Sequence, residues 1–320
     1  MRVAAIDIGT NTTLLLVSEP DDRGGPSRPA ALRAVREEAT ITRLGEGVDV
    51  ARKLAPAAIE RTNACLSEYA KIVRELAVEH VAVVGTSAMR DAGGGDEVRA
   101  KVRELFGVEA RTISGEEEAR LTFRGALSGL DVSGAARVFD IGGGSTEIVV
   151  GEAGSVRASH SFDVGSVRLT ERHVRNDPPT RAEMDAITRT VKEAFATKPE
   201  VWREANAVSS APVGIAGTVT TLAAVALDMD PYDGTRVHGH TMTHDEVRAV
   251  VERLAAAPLA ERRKIRGLEP KRADVIVAGG LLVLETLEAF GARELRVSDR
   301  GVRWGLAESL VTDHTAVRNR

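Results

Sequence analysis

The sequence predicts an α/β protein that contains two related domains. Short apolar runs that end in glycine alternate with stretches of helical apolar spacing. The first such run and its glycine turn recur later in the chain, and 320 residues is the length of about two domains. Apolar residues make up 43% of the chain, which is enough for each domain to bury a core and excludes global disorder.

Strands and helices alternate through the first 125 residues. The strands are short apolar runs that glycine or polar residues close, and the helices carry apolar residues three and four positions apart. A turn-rich stretch at 20–26 is expected to form an exposed loop. The predicted elements are strands at 3–8, 14–17 and 80–84, and helices at 57–76, 97–106 and after the capping residue Ser114.

A repeat of the first hairpin marks the second domain. Placing Asp7 on Asp140, an offset of 140 − 7 = 133 residues, aligns the two Asp-Ile-Gly runs, the hydroxyl residues after them and the following apolar strands. Any strand–turn–strand hairpin has some of these features, but the shared acid, glycine and hydroxyls favour duplication. We therefore expect a first domain at 1–125 and a second at 126–320.

The second domain continues the alternation. The predicted elements are strands at 138–141, 148–150 and 293–298, two strand–glycine–helix units at 213–226 and 275–290, and a last helix at 301–311.

Composition excludes several classes of protein. Lys and Arg number 43 against 47 Asp and Glu, a net charge of −4, which argues against a nucleic-acid partner. Cys65 is the only cysteine, so an internal disulfide and a cysteine-built zinc site are excluded. The apolar runs are shorter than the ~20 residues that span a bilayer, and the first residues lack the features of a signal peptide. The expectation is a cytoplasmic protein with no membrane partner.

Two glycine-rich hairpins carry the strongest chemical signal. Glycines let backbone approach a ligand, and successive N–H groups with hydroxyls can surround phosphate oxygens. An acid at the mouth of each loop would repel phosphate unless it held a divalent cation, and Mg²⁺ prefers one or two carboxylates with phosphate oxygens. The candidates are Asp7, Thr10, Asn11 and Thr12 in the first hairpin, and Asp140, Gly143, Gly144, Ser145, Thr146 and Glu147 in the second.

Further candidates are weaker one by one. Gly217 and Thr218 open a helix whose N–H groups could receive a phosphate, although simple capping by threonine explains them equally well. Arg90 and Arg168 are expected on loops where they could bind phosphate. His238 and His240 have a spacing that could suit a metal, but a loop or core role is favoured.

The ordered motifs resemble the exopolyphosphatase / guanosine pentaphosphate phosphatase family, within the actin, sugar-kinase and heat-shock-chaperone ATPase superfamily. The resemblance covers nearly the whole chain. It is carried by residues 7–12, 85–90, 114–121, 140–147, 217–218 and 278–280.

The resemblance implies a fold of two duplicated actin-like (ribonuclease H-like) α/β domains with an interdomain cleft. In this family the last helix often returns to the first domain, so 301–320 is expected to pack there. The chain is similar to the short form of the family, without the additional helical region of larger members, and the family suggests a homodimer. Trp304 occupies a position that is often acidic in relatives.

The resemblance also implies roles for individual residues. Glu118 corresponds to the general base, and Asp140 and Glu147, with Asp7 as a further contributor, to the acids that hold Mg²⁺, with Mn²⁺ as the alternative ion. The hairpin loops would hold phosphate oxygens, and Arg90 would neutralise the chain phosphates.

The implied substrate is inorganic polyphosphate, with a preference for short chains. Guanosine pentaphosphate is the alternative, because both substrates end in a phosphoanhydride. An ATP-binding kinase or switch, and a phosphate sensor without turnover, are disfavoured by the Glu118 motif and the Gly-Gly-Gly-Ser-Thr-Glu run.

Overall fold

The structure, a computed structural model, describes residues 1–21, 32–152 and 154–318. Most of the predicted loop at 20–26 therefore lies outside the described residues. The chain divides into two compact units, unit 1 (Met1–Gly129 with Val302–Arg320) and unit 2 (Leu130–Gly301). No helix in the described ranges is long and apolar enough to cross a membrane.

Unit 1 is a five-stranded mixed sheet with helices. Its apolar strand β1 is fully buried because it lies at the centre of the sheet, and α2 begins with a proline at its first turn, where the missing N–H costs nothing. The elements are β1 (Val3–Ile8), β2 (Thr12–Pro20), β3 (Leu32–Ile41), α1 (Val48–Ala51), α2 (Pro56–Glu75), β4 (His80–Gly85), α3 (Ser87–Asp91), α4 (Asp96–Phe106), β5 (Ala110–Thr112) and α5 (Gly115–Leu127).

Unit 2 is a six-stranded mixed sheet with a larger apolar core. Its elements are β6 (Ala135–Ile141), β7 (Thr146–Glu152), β8 (Ser155–Phe162), α6 (Ser166–His173), α7 (Arg181–Ala196), α8 (Pro199–Asn206), β9 (Val213–Ile215), α9 (Ala216–Ala226), α10 (Gly234–Val237), β10 (Thr241–Thr243), α11 (His244–Ala256), α12 (Leu259–Arg262), a 3₁₀ turn at Pro270–Arg272, α13 (Ile276–Ala289) and β11 (Glu294–Val297).

The last helix, α14 (Val302–Arg318), belongs to unit 1. Trp304 at its start is 2% exposed and packs in a cluster with Val3, Ala5 and Leu16 of the unit 1 sheet. The indole of Trp304 is therefore part of the apolar core of unit 1.

The two sheets repeat one plan, which confirms the predicted α/β fold of two duplicated domains. In unit 1 the order is β3-β2-β1-β4-β5, and in unit 2 it is β8-β7-β6-β9-β11, with β10 added at the edge. In both, the first three strands pair antiparallel, and the next two continue the sheet in parallel from the first strand. The added strand β10 pairs antiparallel with β11. A register irregularity falls between Val17 and Ser18 in unit 1 and between Val150 and Gly151 in unit 2, again 133 residues apart.

One predicted element differs from the structure, and strand β3 is among the elements that were not predicted. The region at 275–277 was predicted as a strand, but it is the start of α13, because its apolar residues are buried all round the helix. Strand β3 was not predicted, since its run of alternating charged and small residues gives a weak apolar signal.

Candidate active site

The hairpin of β6 and β7 brings two acids together in unit 2. Asp140 pairs directly with Glu147 across the two strands, so both side chains lie on one face of the sheet. Glu147 is buried, and its Oε1 accepts a hydrogen bond from Ser161 Oγ at 2.6 Å. The arrangement places two carboxylates side by side at the mouth of the glycine loop.

The loop between these strands offers N–H groups to a ligand. Gly142 N donates to Ser145 O at 3.0 Å, which closes the turn. Among the described residues no backbone carbonyl accepts from the N–H groups of Gly143, Gly144 or Ser145, although all three residues are buried. Buried N–H groups normally have an acceptor, so this loop is suited to an anion.

The hydroxyl of Thr146 ties the end of this loop to a neighbouring segment of unit 2. Thr146 is fully buried, and its Oγ1 donates to Val164 O at 2.6 Å. Its proton is therefore engaged, and only its oxygen and its backbone are left for other contacts.

The first residues of α6 form hydrogen bonds to the backbone of the same loop. The N–H groups of Ser166 and Arg168 donate to the carbonyls of Gly142 and Gly143 at 3.0 and 3.1 Å. Gly165 is needed for this contact, because a Cβ there would lie 2.4 Å from Gly143 O. Arg168 lies on α6 rather than on the predicted loop, and its guanidinium lies 3.3 Å from a carboxylate oxygen of Asp163.

The hairpin of β1 and β2 in unit 1 repeats the turn but not the acid pair. Gly9 N donates to Thr12 O at 3.1 Å, the counterpart of the Gly142 bond. The N–H groups of Thr10 and Asn11 donate to no backbone carbonyl in the described part of the chain. Asp7 is paired across the strands with Leu14, at the position that Glu147 occupies in unit 2. The second carboxylate is therefore unique to the unit 2 hairpin.

Glu118 lies in the first turn of α5, where the Ser114 hydroxyl accepts from Glu117 N at 3.2 Å and caps the helix. Glu118 is 8% exposed, and Arg90 Nη1 donates to its Oε2 at 2.8 Å and to Ile113 O at 3.2 Å. Arg90 was predicted on a loop, but the structure places it in the last turn of the short helix α3, because the segment after β4 turns at once into a helix. The pair brings together two residues that sequence analysis proposed separately.

Burial governs the electrostatics of this part of unit 1. It raises the pKa of Glu118 even though the Arg90 guanidinium opposes the shift. The pKa of Asp7 is raised to about 7, first by burial and then by the Glu118 charge, against the opposing charge of Arg303. Asp7 Oδ1 has no hydrogen-bond partner among the described residues. Burial and the charge of Glu118 thus raise the pKa of Asp7 together, and acids with raised pKa values are common where proton transfer occurs.

The start of α9 holds Gly217 and Thr218. Thr218 Oγ1 donates to Ile141 O at 3.3 Å, so the helix is tied to the end of β6. A Cβ at Gly217 would lie 2.1 Å from a guanidinium nitrogen of Arg272. Sequence analysis missed Arg272, which lies in a short polar turn before α13 and has no local signal of function.

Metal-binding clusters of three or more His, Cys, Asp or Glu are absent from the ranges that the structure describes. The acid pair of unit 2 offers the one or two carboxylates that Mg²⁺ takes when phosphate supplies other oxygens. His238 Nδ1 lies 3.1 Å from Asp299 Oδ1 and 3.3 Å from Ser298 Oγ, which places it in a local polar cluster at the end of β11.

Comparisons with known proteins show the family of the chain. Residues 25–314 match the model of the Ppx/GppA phosphatase family. The chain is 40% identical to Exopolyphosphatase 2 of Mycobacterium tuberculosis, over 97% of this chain and 98% of that protein. It is 28% identical to the guanosine-5'-triphosphate,3'-diphosphate pyrophosphatase of Vibrio atlanticus, over 97% of this chain but only 59% of that longer protein.

The fold is likewise similar to a solved structure. The crystal structure of the Aquifex aeolicus member of the same family superposes with a TM-score of 0.78 at 34% identity, and the match covers 98% of both chains.

Proposed function

The chain belongs to the Ppx/GppA phosphatase family, and we propose that it is an exopolyphosphatase that hydrolyses the terminal phosphoanhydride bond of inorganic polyphosphate. The observation that carries the proposal is the buried Glu118, held by Arg90 and raised in pKa. The family match and the 40% identity to an exopolyphosphatase support it.

Hydrolysis of a phosphoanhydride bond requires little more than positioning of the substrate, stabilisation of charge and a base. In this proposal Glu118 accepts a proton from the attacking water, and Arg90 orients the carboxylate. A base with a pKa raised toward neutrality is efficient near neutral pH and contributes about 10²–10⁴-fold in rate. The N–H groups of 143–145, with Thr10–Thr12, would bind phosphate oxygens and stabilise charge in the transition state.

Gly217 and Thr218 are proposed to bind a further phosphate, and Arg272 is added to them. The guanidinium of Arg272 lies against Gly217 at the start of α9, where the helix N-terminus also favours negative charge. A phosphate bound there would interact favourably with both.

Asp140 and Glu147 are the residues proposed to hold Mg²⁺, with Mn²⁺ as the alternative. Asp7, in unit 1, is the third acid of the expectation, but no group of three acids that could hold a metal lies among the described residues. The paired acids of unit 2 suit an ion that needs only one or two carboxylates, and the Oδ1 of Asp7 has no hydrogen-bond partner within the described ranges. A bound Mg²⁺ would neutralise phosphate charge. The proposal also includes a cytoplasmic location, a homodimeric state and a preference for short polyphosphate chains. These follow from the family resemblance.

Guanosine pentaphosphate is the second candidate substrate. The similarity to the Vibrio atlanticus pyrophosphatase supports it, because that protein's name describes cleavage of this nucleotide. Its terminal phosphoanhydride would need the same base and the same phosphate-binding loops.

Phosphate release from polyphosphate of defined lengths and from guanosine pentaphosphate, with Mg²⁺ and with a chelator, tests the proposal. Glu118→Gln should abolish kcat while polyphosphate still binds. Glu116→Gln, on the exposed side of the same helix turn, is the matched control and should retain kcat. Near-normal turnover by Glu118→Gln would refute the assignment of the base.

A further inference from the structure

A loop of unit 1 packs against the backbone of the first glycine hairpin. This loop, residues 42–47, joins β3 to α1, and we call it the bracing loop. The N–H groups of its first two residues donate to Asn11 O at 3.1 and 3.0 Å, and Gly45 N donates to Thr10 O at 2.8 Å. The peptide group between Thr10 and Asn11 is planar, so the bond to its carbonyl also sets the direction of the Asn11 N–H group.

The contact between the bracing loop and the hairpin is close and strained. A Cβ at Gly45 would lie 2.3 Å from Thr10 Cγ2, so this approach requires glycine. Arg43 has a φ of 50°, in the left-handed region that residues other than glycine rarely adopt. Backbone in such a conformation persists only where surrounding contacts hold it. The bracing loop therefore depends on support from outside itself.

Arg61 of α2 supplies hydrogen bonds to three residues of the bracing loop. Its Nε donates to Thr42 O at 2.9 Å. Its Nη2 donates to Glu46 Oε2 at 2.7 Å and, over a longer 3.4 Å, to Arg43 O. The Arg61 side chain is 42% exposed, so its hydrogen bonds rather than apolar burial define what it does. A planar guanidinium holds several acceptors in one geometry, which the ammonium group of lysine does not.

We propose that Arg61 is a positioning residue for phosphate binding. It holds the bracing loop, and the bracing loop holds the turn at 10–12 with its N–H groups directed toward phosphate. The inference rests on the proposed function, since the turn must bind phosphate. Without the guanidinium the bracing loop relaxes and the direction of the Asn11 N–H group varies, so the substrate binds less tightly.

The test compares Arg61→Gln with Arg74→Gln, which removes the same charge from another exposed position of α2. Arg61→Gln should raise KM for polyphosphate about tenfold, and Arg74→Gln should leave it unchanged. A fraction of unfolded enzyme would lower the apparent kcat and leave KM as it is, so the rise in KM distinguishes positioning from a merely structural role. Arg61→Lys keeps the charge but not the planar fork, and it should recover only part of the affinity.

Glu46→Ala separates positioning from charge. It removes a negative charge from unit 1, so electrostatics alone would lower KM for an anionic substrate. Loss of the carboxylate that holds the Arg61 guanidinium should instead raise KM about threefold, as expected for an exposed ion pair. Glu60→Ala makes the same change in charge at an exposed position of α2 and should not raise KM.

Four results would overturn the inference. These are an unchanged KM in Arg61→Gln, an equal rise in Arg74→Gln, full recovery in Arg61→Lys, and a lower KM in Glu46→Ala. Absence of polyphosphate hydrolysis by the wild-type protein would instead refute the proposed function. In that case the Kd of tripolyphosphate, measured by isothermal titration calorimetry, tests the inference alone, and absence of binding or a Kd unaffected by Arg61→Gln refutes it.

Discussion

Replacement of Asp7 by asparagine is expected to stabilise unit 1 in a pH-dependent way. Asp7 lies in the buried strand β1 and is 8% exposed, and its Oδ1 has no hydrogen-bond partner among the residues described. Its pKa is raised from 3.8 to about 7 by burial and by the charge of Glu118. The folded protein therefore resists ionisation of this group.

The raised pKa sets the sign and the size of the effect. Well below pH 3.8 the carboxyl is protonated in both the folded and the unfolded chain, and its contribution to stability is fully retained. As the pH rises to 7 the unfolded chain ionises more readily, and about 4 kcal/mol of stability is lost at 1.36 kcal/mol for each pKa unit. Asparagine cannot ionise, so the gain of Asp7→Asn over wild type should grow by about 3 kcal/mol between pH 5 and pH 8.

Urea unfolding without Mg²⁺ at several pH values between 5 and 8 measures this gain. The chain has two tryptophans, so a Trp202→Phe background leaves Trp304 as a fluorescence probe of unit 1. Glu183→Gln, followed by the fluorescence of Trp202 of unit 2 in a Trp304→Phe background, is the control of opposite sign. Backbone and side-chain hydrogen bonds lower the pKa of Glu183 to about 2, so its loss should destabilise unit 2 equally at pH 5 and pH 8. A gain for Asp7→Asn that does not change with pH would refute the reasoning.

Three further substitutions test the packing that supports the site. Gly165→Ala should lower kcat/KM about 10²-fold, because its Cβ would displace the backbone of the phosphate loop, whereas Gly115→Ala, which meets no atom within 4 Å, should leave the kinetics unchanged. Gly305→Ala would place a Cβ 2.2 Å from Leu121 O, so unfolding measurements should show a loss of about 1–3 kcal/mol and assays a lower kcat, since α5 carries the proposed base. Thr243→Ala removes the capping box of α11 and should cost about 1 kcal/mol in unfolding free energy without changing kcat.

The elements that were predicted correctly have local signals. Strands β1 and β4 are uninterrupted apolar runs, and α2 presents apolar residues at helical spacing, so each was predicted to within a few residues. The segment 275–277 was wrongly predicted as a strand because β-branched residues favour strands. Tertiary contact overrides that preference: α13 packs so closely on α11 that a Cβ at Gly280 would lie 2.4 Å from Val251.

The internal repeat was visible in the sequence because a glycine turn between two strands depends on few residues. The same turn bond, from Gly9 N to Thr12 O and from Gly142 N to Ser145 O, recurs at the same offset as the sequence match. A shared local pattern was thus enough to predict two related domains.

By itself the sequence determined the two hairpins and their N–H-rich loops, since each lies within a few consecutive residues, and the family resemblance supplied the candidate base. Only the tertiary structure decided which side chains meet. Arg90 and Glu118 are 28 residues apart and become partners because α3 and α5 follow neighbouring parallel strands, whose ends lie at one edge of the sheet. Arg272 reaches Gly217 across 272 − 217 = 55 residues, a contact without any local pattern, because it depends on how distant segments pack.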